Sequence, residues 1–151
     1  MCACRYDRIR SQLEQESITF NYECDDHLQI QADPLQLKQV LINLLKNAAE
    51  CLDHQGSICL RAKRGTARLG GEETEAALIE VEDTGPGIPH DIQKRIFDPF
   101  FSTKGDGTGL GLAIAARIID KHGGNLEFDT EPGKGTTFRI VLPACPNGQP
   151  A

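Results

Sequence analysis

The sequence predicts an α/β sandwich in which a mixed β-sheet is covered on one face by helices. Two segments repeat apolar residues at the three- and four-residue spacing of an amphipathic helix. Several shorter segments alternate apolar and polar residues as strands do, but they do not alternate strictly with the helices, which disfavours a doubly wound parallel sheet. The length of 151 residues, 39% of them hydrophobic, fits one domain with a single core.

The overall charge and the apolar pattern exclude several classes of protein. With a formal net charge of -6, general attraction to the phosphates of nucleic acid is not expected. No stretch approaches the roughly eighteen consecutive apolar residues of a membrane span, and the N-terminus lacks the apolar core of a secretory signal. The six cysteines are scattered without a Cys-x-x-Cys pair. We therefore expect a cytoplasmic domain with reduced thiols and no contact with nucleic acid or membrane.

The first predicted elements are two short strands that follow a charged N-terminal segment. Residues 5–16 interleave charged residues with Ile9 and Leu13, which indicates a linker or the tail of a preceding helix. Residues 18–22 and 28–31 alternate apolar and polar side chains on either side of a polar turn. We predict that these two segments form a β-hairpin.

A long helix is predicted to begin at Asp33 and to end near Asp53. Asp33 can cap its start, Pro34 suits the first helical position, and Gln36 stands where a capping-box partner belongs. The apolar positions that follow form one stripe, which we expect to face the core. These positions are Leu37, Leu41, Leu44, Leu45, Ala48 and Leu52.

The middle of the chain is predicted to contain two strands and a glycine-rich turn. Residues 57–62 and 77–81 are predicted as strands, and residues 65–75, rich in Gly, Arg and Glu, as an exposed connection between them. A turn rich in Gly and Pro follows at residues 83–89, and then a short helical segment at residues 91–96.

The last elements are a second helix and two strands. Residues 109–122 repeat the helical period, and Gly123 and Gly124 are typical of a helix end. Residues 126–128 and 137–142 are predicted as strands joined by a turn that contains Gly and Pro. The helices and strands together give the mixed sheet and the single helical layer.

Two amides on the first helix are candidate ligand-binding groups. Asn43 and Asn47 lie four residues apart on one helical face, inside the apolar run VLINLLKNAA. A buried amide without a hydrogen-bond partner costs about 1–3 kcal/mol. The two side chains therefore either bond to a neighbouring loop or direct oxygens at a ligand or a hydrated Mg²⁺. Glu50 adds a carboxylate to the same face.

The turn that follows the AALIEV strand is a second candidate site. Asp83 places an acceptor at the end of the strand, and Gly85 and Gly87 let a flat ring approach the backbone. This pattern suits recognition of an amino-substituted heterocycle, although a turn without a ligand has the same residues.

A glycine run that opens into the second helix is the third candidate. Residues 105–112 (GDGTGLGL) can present backbone N–H groups at the positive end of the helix dipole, and Lys104 adds a cation just before them. No Gly-Lys-Ser/Thr closes the run, so it is not a P-loop. The run is either an anion site or a flexible loop.

The order of these features resembles the ATP-binding catalytic domain of sensor histidine kinases, which has a Bergerat-type ATP-binding fold. The resemblance covers about residues 17–143 and includes five sequence boxes of that family. These are the N box at residues 33–52, the first glycine box at 83–88, the F box at 97–101, the second glycine box at 107–112 and the last at 133–136. The motifs NLLKNAAE, FDPFFSTK and GDGTGLGL are most similar to kinases of the nitrogen-regulator and oxygen-sensor type.

The resemblance implies a site for ATP and Mg²⁺ with a role for each box. Asn47 is implied as the Mg²⁺ ligand, and Asp83 as the acceptor for the adenine amino group, beside the turn at Gly85 and Gly87. Thr136 is implied to help close the adenine pocket.

The phosphates are implied to lie under a lid at residues 107–111, positioned by Phe97 and Phe100. Because Glu50 stands where many members carry lysine, Lys104 is our candidate for the basic phosphate contact. The full set of candidate nucleotide-binding residues is Asn43, Asn47, Glu50, Asp83, Gly85, Gly87, Ile88, Phe100, Lys104, Thr108, Gly109, Leu110, Gly111, Leu112 and Thr136.

Asn43 and Lys104 are the candidate catalytic residues. ATPases of the wider superfamily, including DNA gyrase, MutL and the heat-shock chaperone, place a glutamate at the position of Asn43 as the general base. Asparagine cannot accept a proton, which favours phosphoryl transfer to a protein acceptor over hydrolysis.

The phosphoacceptor is expected on a separate dimerisation domain of the same kinase, with a response regulator as an indirect partner. No histidine of the chain has the setting of a phosphoacceptor; the four are His27, His54, His90 and His122. Residues 1–16 are then the end of the preceding dimerisation helix or a linker, residues 17–143 the catalytic domain, and residues 144–151 a flexible tail.

Other readings of the same boxes remain open. A serine kinase that antagonises a sigma factor, a protein kinase of the mitochondrial dehydrogenase type, and an ATPase of the superfamily share the fold. A degenerate module that binds partners without catalysis is the non-enzymatic alternative.

Overall fold

The structure of the protein, a computed structural model, contains one five-stranded mixed sheet with two α-helices packed on one of its faces. The predicted α/β sandwich is therefore confirmed. The described residues are 18–25, 28–30, 32–52, 56–99 and 111–144. The elements are β1 (Ile18–Cys24), α1 (Pro34–Cys51), β2 (Gly56–Leu69), β3 (Glu72–Asp83), a 3-10 turn (Gln93–Arg95), α2 (Gly111–Lys121), β4 (Asn125–Glu131) and β5 (Gly135–Pro143).

The strand order of the sheet is β1-β2-β3-β5-β4. β1 is parallel to β2, and the other neighbouring strands are antiparallel. The predicted hairpin of residues 18–22 and 28–31 is wrong. The strand that pairs with β1 is β2, which the chain reaches only after α1. Ile30 makes only an isolated antiparallel bridge to Ala144 within the described residues. Two parallel neighbouring strands need a crossover connection, and α1 is part of that connection. Its apolar stripe packs against the sheet.

The start of α1 is capped as the sequence predicts. The Oδ1 atom of Asp33 accepts hydrogen bonds from the backbone N–H of Leu35 at 2.9 Å and of Gln36 at 3.4 Å. Pro34 occupies the first turn, where it removes no intrahelical hydrogen bond. One face of the helix is buried against the sheet, which confirms the predicted stripe. Its buried residues are Val40, Leu41, Leu44, Leu45 and Ala48.

Strands β2 and β3 form a long hairpin that extends beyond the rest of the sheet. The pairing runs to Leu69 opposite Glu72, with φ +62° at Gly70 and +86° at Gly71, as a two-residue type I′ turn requires. Residues 65–75 are mostly exposed, as predicted, but they belong to the two strands and their turn, so the prediction of a loop is wrong. We call residues 64–75 the β2–β3 arm, since β1 pairs no further than Ala62 and β5 no further than residue 76.

The core lies between the helices and one face of the sheet. Alternate residues of the strands point to each face, so Ile58 and Val81 pack below the helices while Glu80 lies on the opposite face. Phe138, which is fully buried in β5, is in ring contact with Phe128 of β4. The face opposite the helices carries ion pairs between neighbouring strands. Their members include Arg61, Lys63, Glu80, Glu82, Glu127, Asp129 and Arg139.

The helix α2 ends at the predicted glycines. Gly123 has φ +75°, and Gly124 donates its N–H to the carbonyl of Ile119. An added Cβ at Gly124 would lie 2.1 Å from the carbonyl oxygen of Val141, so β5 requires glycine there. The predicted helical segment at residues 91–96 is reduced to the 3-10 turn. In the part of the chain that the structure describes, no helix is both long and apolar enough to span a membrane.

Candidate functional site

The candidate amide face of α1 meets the start of α2. The side-chain nitrogen of Asn43 donates to the carbonyl oxygen of Gly111 at 3.1 Å, and its oxygen accepts from Nε2 of Gln39 at 2.8 Å. Asn43 is partly buried, so these bonds satisfy an amide that would otherwise be costly to remove from water. The partners of the Asn43 amide are thus Gln39 of the same helix and the first residue of α2, not a neighbouring loop. The bonds also tie the middle of α1 to the residue at which α2 begins.

Asn47 and Glu50 continue this face toward the C-terminal end of α1. Asn47 lies one helical turn beyond Asn43, about 6 Å along the axis, and is partly buried. Glu50 is exposed. The amide face therefore leads from the start of α2 at one end to the last turn of α1 at the other.

The turn at residues 83–88, the first glycine box, lies against the last turn of α1. Asp83, the final residue of β3, is only 4% exposed, and its Oδ1 atom accepts a hydrogen bond from the N–H of Gly85 at 2.9 Å. An added Cβ at Gly85 would lie 2.9 Å from the same Oδ1 and 3.4 Å from the carbonyl oxygen of Cys51. Any side chain at this position would crowd the carboxylate and the end of α1. We call the part of the site bordered by Asp83, Gly85 and Cys51 the Asp83 recess.

Thr136 forms the wall of the Asp83 recess on the side of β5. It pairs with Asp83 across the sheet and is buried. Its hydroxyl is 2.9 Å from that of Thr130, which also accepts a hydrogen bond from the N–H of Ile88 at 2.8 Å. Two of the predicted residues, Thr136 and Ile88, are thus held by one hydroxyl of β4. The sequence analysis did not identify Thr130, because a single threonine on a strand carries no local signal.

Backbone contacts hold the turn at residues 83–88 against the turn between β4 and β5. The N–H of Gly133 donates to the carbonyl of Pro86 at 2.6 Å. Gly87 has φ +76°, and an added Cβ there would lie 2.5 Å from the carbonyl oxygen of Glu131. Gly87 therefore permits close packing of two turns, and Gly85 lets the backbone pass close to the carboxylate, where a side chain would crowd it.

Phe97, the first residue of the F box, is fixed to the core by its aromatic ring. The ring centroid of Phe97 lies 5.8 Å from that of Phe128 and 6.5 Å from that of Phe138, both in edge geometry. Gly111 and Leu112 are the described residues of the second glycine box. The other candidates of this region lie outside the described residues: Phe100, Lys104, Thr108, Gly109 and Leu110.

At the candidate site, the described residues offer amides and one buried carboxylate rather than a ready metal centre. Within them, no cluster of three or more His, Cys, Asp or Glu side chains is placed to hold a metal ion. A cation held at this face would take Asn47 as one oxygen ligand and complete its coordination with the oxygens of a bound anion and water.

The family model described as "Histidine kinase-, DNA gyrase B-, and HSP90-like ATPase" matches residues 32–146. The chain belongs to this family. Within it, the chain corresponds to the catalytic, ATP-binding domain of sensor histidine kinases, as its relatives indicate.

The kinase domain is similar to known sensor kinases over most of its length. It is 42% identical to the signal transduction histidine-protein kinase AtoS of Escherichia coli (strain K12) over 135 residues, 89% of the chain and 21% of AtoS. It is 47% identical to the sensory histidine kinase/phosphatase NtrB of Rhodobacter capsulatus over 119 residues, 76% of the chain and 33% of NtrB. The chain thus spans between about a fifth and a third of the length of these relatives.

The fold of the kinase domain matches solved catalytic domains. The catalytic domain of histidine kinase ThkA aligns with a TM-score of 0.77 and 34% identity, covering 91% of this chain and 86% of that one. ThkA in complex with the response regulator TrrA aligns with a TM-score of 0.73 and 31% identity, over 95% of this chain and 39% of that one. These matches agree with the predicted family and fold.

Proposed function

We propose that this domain binds Mg-ATP and transfers the γ-phosphate to a histidine on a separate dimerisation domain of the same kinase. The observation that supports the proposal most strongly is the continuous surface from the Asp83 recess, along the amide face of α1, to the start of α2. One end of this surface suits a base, and the other suits phosphates.

The adenine is placed at the Asp83 recess in this proposal. A buried carboxylate oxygen is a strong acceptor for an exocyclic amino group, and glycine at position 85 keeps a side chain from crowding that oxygen. Thr136 and Ile88 border the recess from the side of β4 and β5. Gly87 acts indirectly, since it lets the turn that carries these groups pack closely.

The phosphates are placed at the opposite end, near Gly111 and Leu112. The first N–H groups of a helix have no intrahelical partners and lie at the positive end of its dipole, so they attract anions. The candidates beyond the described residues, Lys104 among them, stay predictions for this same end. Asn47 would hold Mg²⁺ together with phosphate oxygens, because Mg²⁺ commonly takes one or two protein oxygens. The ion would neutralise charge on the transferring group.

Asn43 distinguishes transfer to a protein from hydrolysis of ATP. Its nitrogen donates to Gly111 and its oxygen accepts from Gln39, and neither atom can take a proton from water. We therefore expect slow release of phosphate by the isolated domain and transfer only when an acceptor histidine is positioned in line. Within the proposal, a response regulator receives the phosphate next, and the domain works in the cytoplasm.

A transfer assay with labelled ATP tests the proposal. The domain is mixed with a separately purified dimerisation domain that carries a phosphoacceptor histidine, and labelled phosphohistidine and free phosphate are both measured. Asp83→Asn should raise the Kd for ATP at least about tenfold, because an amide oxygen is a weaker acceptor and its NH₂ faces a donor.

The matched control is Glu82→Gln, one residue away on the opposite face of the sheet, where Glu82 pairs with Arg61. It should leave the affinity for ATP unchanged. Steady release of phosphate without phosphohistidine would favour the ATPase alternative, and transfer to serine would favour the serine kinases. No binding of ATP would favour a non-catalytic module.

A further inference from the structure

His122 follows the last residue of α2 and uses both ring nitrogens. Its Nδ1 atom lies 2.7 Å from the carbonyl oxygen of Ile118, and its Nε2 atom lies 3.1 Å from the backbone nitrogen of Asp33. A carbonyl oxygen only accepts hydrogen bonds, so Nδ1 carries the proton and Nε2 accepts from the N–H of Asp33. Both ring nitrogens of His122 are therefore engaged, one with α2 and one with Asp33.

The partner of His122 is the residue that starts α1. The carboxylate of Asp33 caps the first turn of α1, while its own N–H is held by the imidazole. The hydrogen bond joins two residues 89 positions apart in the chain. The end of α2 is thus fixed to the beginning of α1.

A second polar contact joins the middle of α1 to the beginning of α2. Asn43 donates to the carbonyl of Gly111, at the beginning of α2. The two contacts are separated by about 15 Å along α1, from Asp33 to Asn43, and by about 16 Å along α2, from Gly111 to His122. The helices are antiparallel, and the two spans agree closely.

The matched spans determine how far α2 can slide along α1. Apolar packing of residues such as Ala115 and Ile119 is buried but not directional. A hydrogen bond weakens steeply beyond 3.5 Å, whereas one residue of helix already corresponds to 1.5 Å. Both contacts can be made together in one register of the two helices only.

We propose that His122 is a positioning residue that sets the register of α2 on α1, and so places the N-terminal amides of α2 relative to Asn43 and Asn47. The inference rests on the proposed nucleotide site, because these amides are its phosphate end. His122 acts about 16 Å from that end and touches no nucleotide. The adenine end at Asp83 belongs to β3 and does not depend on α2.

Two amide substitutions at His122 separate positioning from general stability. In His122→Gln the side-chain oxygen can take the place of Nε2 and accept from Asp33. In His122→Asn the shorter amide matches Nδ1 and does not reach Asp33. The two variants are similar in polarity, and residue 122 lies beyond the last helical residue, so helix propensity has little weight there. Only His122→Gln can keep the hydrogen bond to Asp33.

The measurement compares the affinities of parent and variants for Mg-ATP and for adenosine, by titration followed by NMR. His122→Asn should raise the Kd for Mg-ATP about tenfold, which corresponds to one hydrogen bond, and leave the Kd for adenosine unchanged. His122→Gln should restore the affinity for Mg-ATP. In the transfer assay, His122→Asn should lower kcat as well as raise KM, because the γ-phosphate is misplaced.

If His122→Asn raised the Kd for adenosine and the Kd for Mg-ATP by the same factor, the inference would be overturned, since this would indicate general loss of structure. Equal affinity of parent and His122→Asn for Mg-ATP would overturn it too. If the parent bound neither ligand, the proposed function itself would fail, and the two failures are thus distinguishable. A two-bond ¹⁵N–¹H spectrum of the parent should show His122 protonated at Nδ1; protonation at Nε2 alone would contradict the contact with Asp33.

Discussion

Glu80 is a carboxylate buried in the sheet face opposite the helices. Its side chain is 9% exposed, and it accepts hydrogen bonds from Nε of Arg139 at 3.3 Å and from Nη2 at 3.1 Å. Lys63 lies 3.5 Å away. Burial raises the pKa of the Glu80 carboxyl, but the hydrogen bonds and charge of Arg139, helped by Lys63 and Arg61, outweigh it and hold the pKa below its ordinary value.

The first prediction concerns this ion pair. Arg139→Met should lower the free energy of unfolding by about 2 kcal/mol at pH 7, because it leaves a buried carboxylate without its strongest partner. A carboxyl whose pKa is lowered by folding contributes stability above its unfolded pKa of about 4.3, and that contribution is lost as the pH falls. The difference between parent and variant should therefore shrink below about pH 4.

Urea unfolding at several pH values measures both effects. Arg61→Met is the matched control, because its partner Glu82 has a side chain that is 45% exposed. The control should change stability by less than about 1 kcal/mol. Equal losses in the two variants, or a loss that does not depend on pH, would contradict the role given to Glu80.

The second prediction concerns Asn47, one turn beyond Asn43 on the amide face. Asn47→Ala should reduce phosphoryl transfer at least about tenfold and raise the Mg²⁺ concentration needed for half-maximal rate, since an oxygen ligand is lost. The melting temperature should change little. Lys46→Ala, at an exposed position of the same helix, is the control and should transfer phosphate at the parent rate. If Asn47→Ala transferred phosphate at the parent rate, the assignment of Asn47 as a Mg²⁺ ligand would be wrong.

Some functional residues can be identified as candidates from the sequence alone, and others cannot. Asp83, Gly85 and Asn47 can be named as candidates from the sequence because each stands in a short motif. Thr130 and His122 cannot, since their partners Ile88 and Asp33 lie 42 and 89 positions away. A hydroxyl or an imidazole has many possible partners, and only the tertiary structure selects one.

At the scale of elements, the β2–β3 arm shows why part of the fold was mispredicted. A strand is visible in the sequence when one of its faces is buried, because apolar and polar residues then alternate. The arm lies beyond β1 and β5, and its charges pair across the two strands, as Arg64 does with Glu75 at 3.1 Å. Residues 65–75 therefore have the composition of a loop. The helices, each with one buried face, were predicted correctly for the same reason.

The third prediction concerns the turn of this arm. Two-residue hairpin turns close on a hydrogen-bonded pair, and such pairs alternate with non-bonded ones along an antiparallel ribbon. Deleting two pairs, residues 68–69 and 72–73, should therefore keep the turn in register and change the free energy of unfolding by less than about 1 kcal/mol. The affinity for ATP should not change.

The control deletes one pair, Leu69 with Glu72, and places Gly70 and Gly71 over a non-bonded pair. It should broaden or shift the amide NMR signals of the arm more than the longer deletion does. A two-pair deletion that unfolds the domain would show that the arm supports the core.

At the scale of the whole molecule, the helices and the proposed site share one face of the sheet, while the other face is charged. This division follows from period-two alternation in β3, where Ile79 and Val81 point to the helices and Glu80 to the opposite face. The strand order could not be predicted in the same way. Which strand neighbours which depends on crossovers such as α1, and local patterns do not encode them.

The position of β5 in this order has a consequence for biosynthesis. β5 is the last of the described strands along the chain, yet in the sheet it lies between β3 and β4. It is therefore the central strand of that half of the sheet. A nascent chain that ends at residue 134 has no partner for β4 and lacks Phe138, Ile140 and Leu142 of the core. Such a chain should stay unfolded on the ribosome, and folding should begin only once residue 143 has left the exit tunnel. Limited proteolysis of ribosome-arrested chains of increasing length tests this expectation. Resistance to the protease should appear in one step beyond that point. Resistance that appears stepwise before β5 has emerged would instead mean that β1 to β4 form an independent folding unit.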